Sequence, residues 1–586
     1  MPIDKRWVIK EQGNSEKVTN LAAQLNIPPV LANLLVQRGI ETYNEATRFF
    51  NPKLSDLHDP FLMKDMDRAV ERIDRAVQNG EKIMVYGDYD VDGCTAVALV
   101  YTFLRSRGHE NLTFYIPDRY TEGYGISISS IDYAERKGVS LVIALDCGIK
   151  AVEKVDYATS KGIDFIICDH HLPGDRIPEA VAVLDPKRED CHYPFDELSG
   201  CGVGFKLVQG YAQRKGIPFS EVEKLLDLVV VSTAADIVPL VGENRILAYY
   251  GLKRLNEAPR KGLHSIINIC GLDKHIITID DIVFKIGPRI NAAGRMKVDP
   301  DDPDAAPSGG HKAVEMLIER DEAMAKECSK SIDEFNQSRK SIDRNVTIEA
   351  HNIIESSEEM KSHKSIVIYN PTWMKGIVGI VASRLIETYY KPTVVLTMSN
   401  NFATGSARSV AGFDLYQAVE SCSDLLENFG GHMYAAGLTM KPENIEEFTR
   451  RFHAYVEEHI DPALLVPQVD IDSELLFSDI TPSFRAVLSR FQPFGPGNTA
   501  PVFKTCGVSN RGDAKLVGAD REHLKMDLTQ RQKPNTTIGA IAFQQPTHFE
   551  WIRNGRPIDV CYTIVENHYR GATTPQLRVK DIKPLK

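Results

Sequence analysis

The sequence predicts an α/β protein built from several domains, and three observations lead to this fold class. The chain has 586 residues, more than a single hydrophobic core usually supports. From about residue 81, short runs that are apolar throughout alternate with helix-length amphipathic segments. Beyond residue 461 the chain changes to short strand-like segments separated by polar turns. The first pattern is typical of a parallel sheet covered by helices, and the second of a small antiparallel barrel.

The first 75 residues read as small polar helices, and nothing in them suggests chemistry. The overall composition, with 43% hydrophobic and 25% charged residues, is that of an ordinary soluble globular protein. No stretch approaches the roughly 18 uninterrupted apolar residues of a membrane span, and the first residues lack the apolar core of a signal peptide. We therefore expect a cytoplasmic protein without membrane contact. We also expect a monomer, because no extended apolar seam is visible outside a predicted long helix.

Charge is distributed unevenly along the chain. The net charge is −11, which taken alone argues against binding to a polyanion. From residue 501 to the end there are 14 Lys and Arg against 8 Asp and Glu, so this segment carries +6 and the first 500 residues carry −17. A basic C-terminal domain is suited to nucleic acid, whereas clustered acids in the preceding part are suited to cations. The ten cysteines are scattered singly, which favours reduced thiols over disulfides or a zinc site.

Residues 76–310 form the predicted parallel-sheet domain. Its apolar runs read KIMVYG, LTFYIP, LVIALD, DFIICD and AVAVLD. Ligands of such open sheets collect beyond the carboxyl ends of the strands. The acidic residues at the ends of four of these runs are Asp88, Asp90, Asp92, Asp146, Asp169 and Asp185. The sequence therefore predicts a cluster of carboxylates at one edge of the sheet.

Three further segments complete the predicted architecture. Neither Gly nor Pro occurs from His311 through Asn370, and the helical periodicity there predicts one long connecting helix over residues 311–361. Residues 362–460 predict a second, smaller α/β domain, which contains the glycine-rich stretches FATGSARSVAGFD and FGGHMYAAG. Residues 461–586 predict the C-terminal barrel, with RFQPFGPGNTAPVF at its start.

Two adjacent histidines follow the predicted strand DFIIC. Neighbouring side chains on a strand point to opposite faces, so His170 and His171 cannot both serve one packed core. One explanation is that one imidazole binds a cation while the other faces a substrate or a second site. The stretch GDYDVDG adds Asp88, Asp90 and Asp92 at alternate positions. Such carboxylates repel one another strongly unless a positive charge lies between them.

Each of these residues also has a plainer interpretation. The acids of GDYDVDG could form a solvated loop, Asp146 could cap a helix, and single histidines at strand ends are usually structural. Asp236 lies in TAADIVPL after another apolar run, and would close a ring of ligands. The number and order of these side chains together favour a metal site.

The ligand types indicate which ions would bind. Mixed carboxylate and imidazole ligands favour Mn²⁺, with Mg²⁺, Co²⁺ and Zn²⁺ as alternatives, and the lack of thiolate ligands argues against a structural zinc. Five or six such ligands exceed the need of a single ion. Two ions about 3.5–4 Å apart with a shared carboxylate are the usual arrangement for in-line attack on a phosphate. The sequence therefore indicates hydrolysis of a phosphoester or phosphoanhydride.

The order of the motifs resembles a known family. GDYDVDG, ALDCG, CDHHLPG and TAADIVPL are similar to the successive motifs of the DHH phosphoesterases. GPRINAAGR, GIVGIVASRL, GSARS and FGGHMYAAG narrow the resemblance to the RecJ single-stranded-DNA exonucleases. The resemblance covers nearly the whole chain from about residue 80. It implies a DHH catalytic domain, a DHH-associated substrate-binding domain and a C-terminal OB-fold domain that binds nucleic acid.

The resemblance also implies roles for individual residues. The family's metal ligands fall on Asp90, Asp92, Asp146, His170 and Asp236, with Asp88 as a further candidate. Asp146 would bridge two Mn²⁺ or Mg²⁺ ions, His171 would lie near the scissile phosphate, and Asp169 would orient an imidazole. Residues expected to contact the 5′ end or the nucleotide path are Arg295, Ser406, Arg408, His432, Asn291, Arg119 and Tyr124. A surface salt bridge for each arginine, and a structural role for the loop 117–125, are the alternatives.

One position departs from the family pattern. Trp373-Met374-Lys375-Gly376 stands where the family commonly has Trp-His-x-Gly, so any role of that histidine is absent or displaced to Lys375. In the barrel, aromatic side chains suit base stacking, although aromatic residues in a small barrel are usually core. These residues are Phe543, Trp551, His568 and Tyr569.

The function implied by the resemblance is that of a single-stranded-DNA-specific 5′→3′ exonuclease. It would release 5′-mononucleotides by two-metal hydrolysis in DNA recombination and repair, alongside single-strand-binding protein and a helicase. One alternative is a DHH oligoribonuclease or cyclic-dinucleotide phosphodiesterase, but those relatives are generally shorter and lack the barrel. The other is an inactive DNA-binding scaffold, which would have lost acids or histidines from these motifs, whereas here all are present.

Overall fold

A computed structural model describes residues 4–296, 308–530, 533–569 and 572–585. The chain divides into two compact units. Unit I consists of residues 44–337 and 489–500, and unit II of residues 1–43, 338–488 and 501–586. In the described part of the chain, no helix is both long enough and apolar enough to cross a membrane.

Unit I is built on a five-stranded sheet in which all neighbouring strands are parallel, so the prediction from the apolar runs is confirmed. From one edge to the other, the strands are Leu112–Tyr115, Ile83–Gly87, Leu141–Leu145, Asp164–Cys168 and Ala182–Leu184. The strand that comes first in the chain therefore lies between the second and the third. The topological switch point, where open α/β sheets bind ligands, falls between Ile83–Gly87 and Leu141–Leu145.

Both faces of this sheet are buried. Alternate residues of one strand enter different hydrophobic clusters: Ile83 and Val85 belong to one cluster, and Met84 and Tyr86 to the other. The helices from residue 43 to residue 293 are Tyr43–Phe50, Met66–Gln78, Val91–Ser106, Ile128–Arg136, Val152–Ser160, Gly200–Arg214, Phe219–Glu223, Leu226–Ala235, Gly242–Glu257, Lys261–Ile269, Ile279–Asp281, the π-helix Ile282–Ile286, and Gly287–Ala293. The apolar run before Asp236 is thus a buried helix, not a strand of the sheet.

The predicted connecting helix is present but shorter than residues 311–361. The segment forms three helices, Gly309–Ile318, Glu322–Ser356 and Glu358–Ser362. The long helix begins after Asp321, because this carboxylate accepts hydrogen bonds from the N–H groups of Ala323 and Met324 at 2.9 and 3.0 Å and so caps a new start. Ser357 caps the last helix in the same way. Capping side chains interrupt the segment without any Gly or Pro.

Unit II contains the second, smaller α/β domain. Its five strands in sheet order are Leu426–His432, Ala435–Met440, Phe402–Arg408, Thr393–Ser399 and Ile366–Tyr369. Neighbouring strands are antiparallel except for the last pair, which is parallel. The accompanying helices are Lys375–Tyr389, Leu415–Glu420 and Ile445–His459.

The C-terminal barrel is closed by five strands. In circular order they are Phe503–Asn510, His523–Gln530, Lys533–Ala542, Ala572–Pro584 and Ile558–Tyr569, with Ser473–Glu474 and Lys515–Val517 as short additions. One pair, Lys533–Ala542 with Ala572–Pro584, is parallel, so the expectation of a purely antiparallel barrel is wrong there. The chain between these two strands passes through helix Phe549–Arg553 and a further strand, which is the crossover that a parallel pair requires. The side chains of His568 and Tyr569 lie outside the described part of the structure.

Two segments group differently from the sequence division. The first 75 residues are shared between the units, and they contain a strand, Arg6–Ile9, that pairs in parallel with Gln468–Ile471 of unit II. The helices Ser15–Leu25 and Pro29–Val36 follow it. Residues 489–500 begin at the last residue of helix Pro482–Ser489. They were expected at the start of the barrel but belong to unit I.

Candidate metal centre and nucleotide contacts

The loop after strand Ile83–Gly87 turns directly into a helix and carries carboxylates to the switch point. Asp90 caps the helix that begins at Val91, because its Oδ1 accepts a hydrogen bond from the Gly93 N–H at 3.1 Å. A Cβ at Gly93 would lie 2.4 Å from the Asp88 carbonyl oxygen. The sharp turn that brings these acids together therefore requires glycine.

Asp92 is firmly held by three hydrogen bonds. Its carboxylate is buried and accepts hydrogen bonds from the N–H groups of Gly200 and Cys201 and from the Ser232 hydroxyl, each at 2.7 Å. The two N–H groups belong to the first turn of a helix, which favours a negative charge. Burial and the nearby charge of Asp90 nevertheless raise the pKa of Asp92 to about 6.

His170 places one ring nitrogen among three carboxylates. Its Nε2 lies 3.2 Å from Asp146 Oδ1, 3.8 Å from Asp92 Oδ2 and 3.7 Å from Asp236 Oδ2. Asp146 reaches this position through a left-handed backbone, with φ +60°, and its N–H donates to the Cys168 carbonyl oxygen at 2.9 Å. The strand ends and the end of helix Leu226–Ala235 thus bring residues far apart in sequence around one nitrogen.

Burial and crowded carboxylates dominate the electrostatics of this cluster. Burial, followed by the charges of neighbouring carboxylates, raises the pKa of Asp236 to about 9 and raises those of Asp146 and Asp88 well above their ordinary value. Burial also lowers the pKa of His170 to about 3, so its imidazole is neutral. The buried Asp88 Oδ1 has no hydrogen-bond partner in the described structure. Neutral imidazole and crowded carboxylates are the donors that a divalent cation needs.

Two groups of ligand atoms are spaced closely enough to hold such an ion. One is formed by Asp92, His170 and Asp236, and the other by Asp146, His170 and His171, with all ligand atoms of a group within 4.8 Å of one another. Asp90 and Asp88 stand on the same loop but enter neither group among the described residues.

Asp169 orients His171. Its Oδ1 lies 2.8 Å from the Nδ1 of His171 and also accepts the His170 N–H at 2.8 Å, while its Oδ2 accepts the Ile149 N–H at 2.9 Å. Burial alone would raise the pKa of Asp169, but the hydrogen bonds from His171 and Ile149 lower it to about 2. Although burial opposes it, the same contact raises the pKa of His171. The two adjacent histidines therefore differ in character: one ring is buried, whereas the side chain of His171 is 46% exposed.

A loop after the second strand lies beside the centre and carries two of the predicted nucleotide contacts. The Tyr124 hydroxyl is 3.3 Å from both ring nitrogens of His171 and donates to the Asp146 carbonyl oxygen at 3.3 Å. The Arg119 guanidinium lies 4.2 Å from the centroid of the Tyr89 ring. An arginine and a tyrosine hydroxyl thus lie close to the carboxylates.

Arg295 and Asn291 come from the segment around helix Gly287–Ala293. The Arg295 carbonyl oxygen accepts a hydrogen bond from the Tyr120 hydroxyl at 2.5 Å. The side-chain oxygen of Asn291 accepts the Val91 N–H at 3.1 Å, and this contact caps the helix that carries Asp92. The structure therefore gives Asn291 a structural contact that the sequence did not predict.

The other predicted contacts lie in unit II. Arg408 donates from Nη1 to the Ser406 hydroxyl at 2.7 Å and to the Ala407 carbonyl oxygen at 2.8 Å. Burial lowers the pKa of Arg408, and no carboxylate of the described residues forms an ion pair with it. A Cβ at Gly379 would lie 3.1 Å from both the Arg408 Nη2 and the Ser406 hydroxyl. Lys375 stands one turn before Gly379 on the same helix.

Arg408 and His432 share one face of the sheet, with a single alanine between them across the strands. Two residues along, Ser406 pairs with Gly437, which in turn pairs with Gly430 on the next strand, and neither glycine would place a Cβ within 4 Å of another atom. This face is therefore an open surface of backbone beside a half-buried guanidinium.

The donors that hold Asp92 were not predicted from the sequence. Gly200 and Cys201 begin a helix in the stretch SGCGVG, and Ser232 lies in the buried helix before Asp236. The only sequence signal is the glycine-rich helix start, which permits close approach. A Cβ at Gly200 would lie 2.5 Å from the Asp146 Cβ.

Comparison with known proteins gives matches along most of the chain. Residues 82–233 match the family model described as "DHH family, N-terminal domain", residues 363–458 match the "DHHA1 domain", and residues 471–581 match the "RecJ OB domain".

Curated relatives match over nearly the full length. A protein named single-stranded-DNA-specific exonuclease RecJ from Bacillus subtilis is 36% identical, covering 98% of this chain and 70% of that protein. The protein of the same name from Salmonella typhimurium is 33% identical, covering 96% of each chain. The crystal structure of RecJ from Thermus thermophilus in complex with Mn²⁺ has a TM-score of 0.81 at 25% identity, covering 99% of this chain and 80% of that one. The chain therefore belongs to the RecJ family of single-stranded-DNA-specific exonucleases.

Proposed function

We propose that this chain is a metal-dependent exonuclease that degrades single-stranded DNA from its 5′ end, releases 5′-mononucleotides and acts in recombination and repair. The observation that carries the proposal is the position of the His170 Nε2, which lies within 3.8 Å of three carboxylates at the switch point of the sheet. In a member of the RecJ family, this arrangement is suited to hydrolysis of a phosphodiester.

The proposed metal ligands are Asp90, Asp92, Asp146, His170 and Asp236, with Asp88 as a further candidate. They fit two Mn²⁺ or Mg²⁺ ions, because oxygen ligands suit both and the imidazole favours Mn²⁺. When bound, two such ions lower the pKa of a water molecule and neutralise charge on the phosphate oxygens. Asp146 is the proposed shared ligand, since it is the carboxylate closest to the His170 Nε2 and its pKa is raised by burial and then by the charges of the other acids.

His171 and Asp169 are proposed to act on the phosphate. Asp169 holds the Nδ1 of His171 at 2.8 Å, which fixes the ring and favours its protonated form. A positioned imidazolium can donate a hydrogen bond to a phosphate oxygen and stabilise the charge that develops there. Tyr124, whose hydroxyl touches the same ring, would limit its rotation.

The 5′ end is proposed to bind on the open face of unit II. A half-buried guanidinium that forms no ion pair with a described carboxylate suits a terminal phosphate, and Arg408 is such a group. Ser406 and His432 border the same face, whose glycines let a strand approach the backbone closely. Lys375, on the helix beside Arg408, is a candidate for the role of the histidine that this chain lacks.

In unit I, Arg119, Arg295 and Asn291 are proposed to line the nucleotide path. The side-chain oxygen of Asn291 is occupied by the Val91 N–H, so its amide nitrogen is the group left to contact a nucleotide.

The barrel is proposed to bind single strands without strong sequence preference. Cross-strand pairing puts Lys515, Lys525, Ile541 and Arg578 in one row, and residues in such a row share a face. The Arg578 guanidinium lies 5.7 Å from the ring centroid of Phe543, which is 43% exposed. Cations beside an exposed ring suit backbone contacts and base stacking. An OB barrel also favours this function over that of shorter DHH phosphodiesterases.

Three further proposals concern the compartment, the partners and the oligomeric state of the enzyme. The ten cysteines are all free thiols, which supports a reducing compartment such as the cytoplasm. Single-strand-binding protein and a helicase are proposed partners, because an exonuclease of this kind needs a separated strand. We propose that the chain acts as a monomer.

Blocking one end of the substrate tests the direction of digestion. A bulky group on the 5′ end should abolish release of mononucleotides from single-stranded DNA, whereas the same group on the 3′ end should not, because digestion starts at the 5′ end. Product analysis by chromatography in Mn²⁺ gives the result. Digestion from a blocked 5′ end would contradict the proposed direction.

Replacing proposed metal ligands tests the site. The double variant Asp146→Ala/His170→Ala should lose all release of mononucleotides. The control Asp156→Ala/His192→Ala, which alters two exposed residues, should retain it.

Replacing His170 and replacing His171 should have different effects on Mn²⁺ affinity and kcat. His170→Ala should weaken Mn²⁺ binding at least about tenfold, because a ligand is lost. His171→Ala should weaken Mn²⁺ binding less than His170→Ala, because His170 belongs to both groups of ligand atoms and His171 to one, and should lower kcat by about 100-fold to 10,000-fold, the range for a positioned proton donor. Calorimetric titration and steady-state kinetics measure the two effects, with His192→Ala as the control. Equal effects of both replacements on metal affinity would contradict the assignment.

Metal binding should release protons at neutral pH. The raised pKa of Asp236, about 9, means that its carboxyl is protonated at pH 7 in the metal-free protein, and ligands must be deprotonated to bind. About one proton or more should therefore leave per protein at pH 7, and fewer at pH 9.5. Calorimetry in buffers with different ionisation enthalpies counts these protons. Binding at pH 7 without proton release would show that the carboxylates are already ionised.

A further inference from the structure

Residues 489–500 form a strap on unit I. The chain leaves unit II for this segment and then returns to it. We propose that the strap is a positioning element for Asp236: it holds the loop after this residue so that the carboxylate faces the other metal ligands. The inference rests on the ligand set proposed above.

Asp236 differs from the other ligands in how it is held. Three hydrogen bonds fix the carboxylate of Asp92, and its side chain is 1% exposed. The carboxylate of Asp236 accepts no hydrogen bond from the described residues, and its side chain is 29% exposed. Its place next to His170 is therefore set by its backbone alone.

That backbone is a short loop between two helices. Asp236 ends helix Leu226–Ala235, and helix Gly242–Glu257 begins six residues later. Ile237 has a left-handed backbone, with φ +61°, which a β-branched residue adopts only under constraint. Within the loop, the Leu240 N–H donates to the Pro496 carbonyl oxygen of the strap at 2.7 Å.

The strap meets this loop through a tight turn. Gly495 and Asn498 exchange backbone hydrogen bonds, each at 3.0 Å, and Gly497 between them has φ +71°. The Pro-Gly pair at the corner is typical of a type II turn. A Cβ at Gly495 would lie 2.6 Å from a methyl of Leu240, and a Cβ at Gly497 would lie 3.0 Å from Val241. The turn therefore lies directly against the loop, without room for a side chain.

The strap is in turn tied to the helix that follows the loop. The side chain of Asn498 is buried and donates to the carbonyl oxygens of Phe491 and Pro493 at 2.8 and 2.9 Å. Arg245, in helix Gly242–Glu257, donates to the carbonyl oxygens of Phe491 and Gln492, both at 2.9 Å. Strap, loop and helix thus form one closed hydrogen-bonded network, with Asp236 at its edge.

Two variants of the strap test the proposal by different routes. Gly495→Ala removes no hydrogen-bonding group but adds a methyl that must displace Leu240. Asn498→Ala removes two of the bonds that hold the turn. Each should raise the Mn²⁺ dissociation constant about tenfold, the usual effect of losing support behind a ligand. Calorimetric titration measures the constant, and melting curves establish that each variant is folded.

Asn256→Ala is the matched control. Its side chain donates to the Leu252 carbonyl oxygen at 2.8 Å and accepts the Ile277 N–H at 2.7 Å, so it also ties backbone segments together. It lies near the other end of helix Gly242–Glu257, about 20 Å from the loop at 1.5 Å per residue. Mn²⁺ affinity should be unchanged in this variant.

The results separate this inference from the proposed function. Weaker Mn²⁺ binding in both strap variants, with exonuclease activity restored by excess Mn²⁺, would support the role of the strap. Wild-type affinity in Gly495→Ala and Asn498→Ala would overturn it, and so would an equal loss in Asn256→Ala, which would point to general destabilisation. If the wild-type protein binds Mn²⁺ but does not shorten single-stranded DNA, the proposed function fails while the effect of the strap on metal affinity is still measured.

Discussion

The repulsion among crowded carboxylates is the constraint on which the rest of the structure depends. Asp92, Asp146 and Asp236 surround one nitrogen of His170, and burial and mutual repulsion raise the pKa of each. A fold that collects such groups loses stability unless a cation offsets the repulsion. Glycines in the first turns of helices Val91–Ser106 and Gly200–Arg214 permit the close approach. The scaffold thus holds an anionic site that a divalent cation would complete.

The adjacent histidines show how one strand end can serve two purposes. Asp169 contacts both histidines. Its carboxylate accepts hydrogen bonds from the backbone N–H of His170 and from the ring Nδ1 of His171. The first ring turns inward, where burial keeps it neutral, and the second turns outward, where the carboxylate favours its charge. A metal ligand and a phosphate contact need these opposite properties, because a ligand must be unprotonated and a hydrogen-bond donor must carry its proton.

Much of the fold could be predicted from local sequence, because each feature depends on neighbouring residues. The parallel sheet followed from apolar runs, and the strand-end acids followed from the position of Asp88, Asp90, Asp92 and Asp146 in those runs. The direction of single contacts could not be predicted. Whether Asp169 would meet His170 or His171, and whether the oxygen of Asn291 would cap a helix, depends on backbone geometry.

Contacts between residues far apart in the chain could not be predicted from the sequence either. The parallel pair in the barrel results from a crossover that no local pattern reveals. The stretch PFGPGN was expected at the start of the barrel, but it packs against Leu240, about 250 positions away in the chain. The break before the long helix was missed for a different reason: the capping carboxylate of Asp321 acts where neither Gly nor Pro is present.

The most direct test of the metal centre is anomalous scattering at the Mn edge from crystals of the protein grown with Mn²⁺. Two peaks should lie among the carboxylates of Asp92, Asp146 and Asp236, with the Nε2 of His170 bound to one ion and Asp146 in contact with both. A single ion that leaves Asp146 unbridged would remove the two-metal chemistry. Absence of any peak among these residues at saturating Mn²⁺ would contradict the metal centre itself.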